Sequence, residues 1–201
     1  MALAVVLAIA FQLGTPHEGQ LAGWWVFPAL ELVLLVVMIA RDPGRIDTPS
    51  RAARRVTIAL IAVMTAGVLF GASRLVYEIL SGSELAATDL LGRGAAVWLT
   101  NIIVFSLWFW EFDRGGPVAR AANTGRPASF AFPENATPEL APPEWAPTYP
   151  DYLYLAFTNA TAFSPTDTLP VRMWAKMLMM LQAMASLAIA ICVIARAINA
   201  L

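Results

Sequence analysis

Long runs of apolar residues dominate the chain, and their lengths carry the first inference. A helix rises about 1.5 Å per residue and the hydrocarbon core of a bilayer is about 30 Å thick, so a span needs roughly 20 mainly apolar residues. Four segments meet that requirement: Leu21 to Ala40, interrupted only by Pro28 and Glu31, then Val56 to Leu80, Ala95 to Phe112, and Val171 to Leu201. The opening run from Met1 to Gly14 reaches only about two-thirds of the way across. It is preceded by no basic region of the kind a cleaved signal peptide carries, since the first Lys or Arg is Arg41. It is predicted to be a short first membrane helix, turned back into Leu21 by Thr15, Pro16, His17 and Glu18. The expectation is an all-α, polytopic membrane protein of five helices.

The stretch from Asp113 to Pro150 departs from this pattern. Eight prolines and scattered charge forbid a continuous helix there and predict a linker outside the bilayer. From Tyr152 to Ala162 the chain is apolar and aromatic again, but long enough for only about half the hydrocarbon core. The polar, proline-broken stretch Phe163 to Pro170 follows, and then the last long helix. A half-helix, an irregular polar backbone and a full helix in that order predict a re-entrant loop, tolerated where it is buried in protein or lines water. The chain therefore divides into N-terminal membrane helices, residues 1–91, and a second unit, residues 92–201. The latter comprises an outer helix 95–112, a linker 113–150, a half-helix and loop 151–170, and an inner helix 171–201.

Composition narrows the function. Of 201 residues 59% are apolar and 13% charged, and the net charge is -1, which argues against a polybasic nucleic-acid binder. A single cysteine, Cys192, excludes a disulfide scaffold, and a single histidine, His17, leaves no histidine pair. With no nucleophile elbow and no metal-ligand cluster, neither enzyme activity nor a cofactor or metal is expected. The expected partners are the lipid bilayer, other copies of the chain and small cations.

If the half-helix returns to the face it leaves, the linkers 41–55 and 113–170 share a side that holds Arg41, Arg45, Arg51, Arg54, Arg55, Arg114, Arg120 and Arg126. The other side has only Arg93 near a membrane boundary. Short basic loops stay cytoplasmic, so the amino terminus is expected inside and the carboxyl terminus outside a bacterial plasma membrane.

Polar residues at membrane depth are the candidate functional groups. Glu31 sits mid-span and should meet another helix, a water-filled cavity or a cation. Arg74 and Glu78, spaced i, i+4, are expected to pair on one helical face. Gly67 and Gly71 form a small-xxx-small pattern for close helix approach. Asn159 in the half-helix and Gln182 on the last helix are further candidates; Gln182 and Ser186, spaced i, i+4, either line a lumen or bond across an interface. The tryptophans Trp24, Trp25, Trp98, Trp108, Trp110 and Trp174 fall near span ends as interfacial anchors. Met173, Met177, Met179, Met180 and Met184 occupy more than one face of the last helix, which favours flexible packing over a thioether copper site.

The C-terminal half resembles the pore module of tetrameric cation channels. Thr161-Ala-Phe-Ser-Pro-Thr-Asp167-Thr-Leu-Pro170 lies where a potassium channel has Thr-x-Val-Gly-Tyr-Gly-Asp and then a proline. Thr161, Asp167 and Pro170 correspond, while Ser164 and Thr166 replace the glycines and Pro165 the aromatic residue. The resemblance implies a filter at Thr161, Ala162, Phe163, Ser164, Pro165, Thr166 and Asp167, without potassium-selective geometry. The chain is also similar to a family of uncharacterised bacterial integral membrane proteins that share a Phe-Thr-Asn-Ala-Thr-Ala-Phe-Ser-Pro-Thr-Asp-Thr-like stretch before a final helix. The resulting expectation is an oligomeric, channel-like protein, tetrameric for preference, that conducts small cations. The alternatives are a small ion-coupled transporter using Glu31, Arg74 and Glu78, or a membrane scaffold in which Asp167 or Thr168 merely caps the last helix.

Overall fold

The computed structural model describes residues 1–14, 25–41, 51–81, 87–137, 139, 141–142, 145–161 and 167–199. In chain order the elements are α1 (Ala2–Leu13), α2 (Val26–Arg41), α3 (Arg51–Leu80), α4 (Ala87–Phe112), a 3-10 turn (Asp113–Gly115), α5 (Pro117–Ala121), β1 (Phe130–Ala131), α6 (Pro133–Ala136), α7 (Tyr149–Thr161), β2 (Leu169–Pro170) and α8 (Met173–Asn199). Among the described residues three helical stretches, Arg51–Ile79, Thr88–Gly115 and Met173–Ile194, are long and apolar enough to cross a membrane; Ala2–Leu13 and Val26–Ala40 are apolar but shorter. The predicted start of the second helix, Leu21 to Trp24, lies outside the described residues. Helices α3 and α4 begin earlier than the apolar runs alone indicate, at Arg51 and Ala87, because helix continues through polar first turns that apolar counting omits.

Helix α4 is the hub, packing against α1, α3, α7 and α8. One apolar cluster joins it to α1, α2 and α3 through Val5, Ala8, Leu35, Leu60, Ile61, Met64, Val104 and Leu107. A second joins it to α7, α8 and β1 through Phe105, Phe109, Phe130, Tyr152, Leu155, Ala156 and Ala175. A third, Leu75, Leu90, Ile189 and Val193, closes the far end.

Helix α4 is stopped by three successive residues in left-handed backbone, Arg114 (φ 50), Gly115 (φ 86) and Gly116 (φ 98). Glycine is needed at the last two for space as well as torsion, because a Cβ on Gly115 would lie 2.5 Å from Arg126 Nη1 and one on Gly116 3.0 Å from Glu111 O. The linker beyond is broken as its prolines require, with helices of only five and four residues. It also contributes β1, which pairs antiparallel with β2 in the register Phe130↔Pro170 and Ala131↔Leu169, a two-residue ladder outside the all-α expectation. Val171 N–H extends it by donating to Ser129 O at 2.9 Å.

Candidate functional site

The region singled out from the sequence is built on α4, α7 and α8. Helix α7 starts where the Asp151 carboxylate reaches back to accept from Thr148 N–H (2.6 Å) and from the Thr148 hydroxyl (2.8 Å), with Pro150 in the first turn, where a missing N–H costs nothing. Its buried face is Tyr152, Leu155, Ala156 and Ala160, spaced for a helix resting on its neighbours.

Both flanks of the segment meet at one aromatic cluster. The Phe130 ring lies 6.3 Å from Tyr152, in the first turn of α7, and 5.8 Å from Trp174, in the first turn of α8, while its backbone pairs with Pro170. The far end of α7 lies deeper along α8. Asn159 donates its amide to Met179 O (2.9 Å) and Gln182 Oε1 (2.8 Å), and Gln182 Nε2 donates to Ala156 O (2.8 Å). Gln182 is fully buried. The two predicted candidates thus form one clasp between α7 and α8. Ser186, a turn further, accepts from the Asn101 amide of α4 at 2.9 Å. Gln182 and Ser186 both bond across helix interfaces.

Thr161 closes α7 with its hydroxyl donating to Thr158 O at 2.9 Å. Asp167 is exposed. Ala162, Phe163, Ser164, Pro165 and Thr166 lie outside the described residues.

The remaining candidates gather on the other side of α4. Glu31 is 0% exposed, and Gln12 Nε2 donates to both of its oxygens at 3.1 and 3.0 Å. Gly67 makes room for it, since a Cβ there would sit 3.3 Å from Glu31 Oε1 and 3.5 Å from Phe27 Cβ. Gly71, one turn on, instead faces Val97 of α4. Arg74 Nε bonds Glu78 Oε1 at 2.9 Å as its spacing predicts, and Arg93 Nη1 adds a second bond to Glu78 Oε2 at 3.0 Å. Gln12, Gly67, Gly71, Arg74 and Thr100 are among the residues lining a cavity of about 120 Å³. Among the described residues no three His, Cys, Asp or Glu side chains gather as a metal site would require.

Sequence reasoning missed the polar centre at the linker end. Asp113 is 0% exposed; it accepts from Tyr152 Oη (2.6 Å) and Ser129 N–H (2.7 Å), and Arg114 Nε stands 3.7 Å away. Burial, and after it the Asp113 charge, pushes the Tyr152 phenol above the usual tyrosine range, so it stays a donor. Arg120 lies over the Trp110 ring at 4.0 Å and donates to Trp110 O and Asp113 O; burial lowers its guanidinium below the ordinary arginine value. Arg54 Nε bonds Glu111 Oε1 at 3.1 Å and so ties the start of α3 to the end of α4. The available signal was a charge placed immediately after a span, at Asp113. No family model, curated protein or solved structure matches this chain.

Proposed function

We propose that the chain is a polytopic plasma-membrane protein whose C-terminal half forms, with copies of itself, a conduit for small cations. The observation that supports the reading is how far α7 reaches along α8. Its 13 residues extend about 20 Å, too short to span. Its last turn is held at Met179 and Gln182, the latter about 14 Å along α8 from Met173, while both flanks stand at the Phe130 cluster. A half-helix entering from the end to which the chain returns is the geometry of a re-entrant segment.

The charge distribution agrees with a cation. The last carbonyls of a helix lack intrahelical partners and carry the negative end of its dipole, so the C-terminus of α7 directs partial negative charge toward mid-membrane. Asp167, exposed on the return path, would form an acidic ring when copies meet around an axis. One copy has too few helices to enclose a pore, so the reading requires an oligomer, for which the pore-module resemblance favours a tetramer. The arginines of the linkers orient the amino terminus inward and Leu201 outward.

The test is Na⁺ and K⁺ flux through liposomes holding the purified chain. Asp167→Asn is expected to lower flux while leaving oligomer mass unchanged. Unchanged flux with a lower melting temperature would mean that Asp167 serves folding alone, and not as a cap of the last helix, since α8 begins only at Met173. A coupled carrier is the second reading, favoured by the cavity shared by Gln12, which holds Glu31, and Arg74. In that case Glu31→Gln abolishes transport and Asp167→Asn does not.

A further inference from the structure

Helix α8 divides its methionines unequally. Met179 is 8% exposed and packs in the cluster with Phe109 and Ala160, where a flexible thioether fills a gap. Met173, Met177, Met180 and Met184 are 70%, 50%, 55% and 68% exposed. Their 4-3-4 spacing stacks them on one face, with side chains at i, i+3 and i, i+4 about 5–6 Å apart at Cβ. Within the chain, Met179 packs against neighbouring helices and the other four face outward, a distinction of helical face that composition conceals. The same stripe continues through the exposed Leu187, Ile191 and Ile194, so the second half of the helix meets its apolar surroundings without sulfur. What methionine adds to such a face is a soft, uncharged donor atom that needs no deprotonation to bind a metal.

We propose that this face is a binding site for a soft monovalent metal cation, Cu(I) or Ag(I), held by the thioethers of Met173, Met177, Met180 and Met184. Neighbouring residues supply pairs of sulfurs on flexible arms that two-coordinate soft cations accept, and a hard cation such as K⁺ gains nothing from them. Arg172 and the exposed Lys176 stand at the start of the helix and repel a cation there, so the deeper pair, Met180 and Met184, binds first. The inference concerns binding alone and stands independently of conduction.

The experiment uses the full chain in detergent with Cys192→Ser, to remove the thiol of the same helix, and Ag(I) as a redox-inert probe. With methyl-labelled methionine, the resonances of Met180 and Met184 are expected to shift first and those of Met173 and Met177 next, while buried Met64 and Met179 stay in place. Met180→Leu with Met184→Leu keeps the apolar volume and is expected to lose the high-affinity Ag(I) binding, whereas Met179→Leu retains it. Circular dichroism checks that each variant is folded. No shift on adding Ag(I), equal shifts at buried and exposed methionines, or undiminished binding in the double variant would overturn the proposal.

Discussion

The most demanding residue is Asp113, a carboxylate withdrawn from water at the point where α4 ends. Its charge is held by the Tyr152 phenol and the Ser129 amide at hydrogen-bond distance. Removing one donor leaves a buried acceptor partly unsatisfied, so Tyr152→Phe is expected to cost about 1–3 kcal/mol of stability, read from denaturant unfolding in detergent. A cost near zero would mean that the site is hydrated. Asp113 was visible in the sequence as a charge beside a span, but its partner lies 39 residues away, and no local pattern links a phenol to a carboxylate at that separation. Arg74 and Glu78 were legible because i, i+4 geometry is local; Arg93, which joins them from the next helix, was not. Likewise the need of Glu31 for a partner followed from its depth, whereas the identity of that partner, Gln12, depended on how α1 docks.

Among the elements, α4 and α8 are matched at Gly94, where a Cβ would lie 2.5 Å from Val193 Cγ2. Valine is stiff at χ1 and cannot swing aside cheaply. Gly94→Ala is therefore expected to destabilise the protein by about 1–3 kcal/mol through overpacking, and adding Val193→Ala to recover much of it. Additive losses in a thermal-melt cycle would show that the two positions are not in contact. At the start of α7, Thr148→Ala removes the hydroxyl that donates to the Asp151 carboxylate and is expected to cost about 0.5–1.5 kcal/mol by the same measurement. Long helices were legible from apolar length, and the short helix α7 from the brevity of its apolar run. The β1–β2 ladder was not, because two residues a side carry no alternation, and Pro170 within it argues against a strand.

At the scale of the molecule, the Arg54–Glu111 pair holds the first turn of α3, with its arginines, against the end of α4. A charge-sided reporter fused at Leu201 is expected to read as non-cytoplasmic; a cytoplasmic reading would reverse the orientation. The central claim is that α7 dips into the bilayer and the chain returns to the face it left. Single cysteines introduced from Thr148 to Asp167 in a Cys192→Ser background, probed with a membrane-impermeant thiol reagent in sided vesicles, test it most directly. The account predicts that Thr148 and Asp167 react from the same face and that positions near Asn159 are protected from both; reaction of Thr148 and Asp167 from opposite faces, or uniform reactivity along α7, would contradict it.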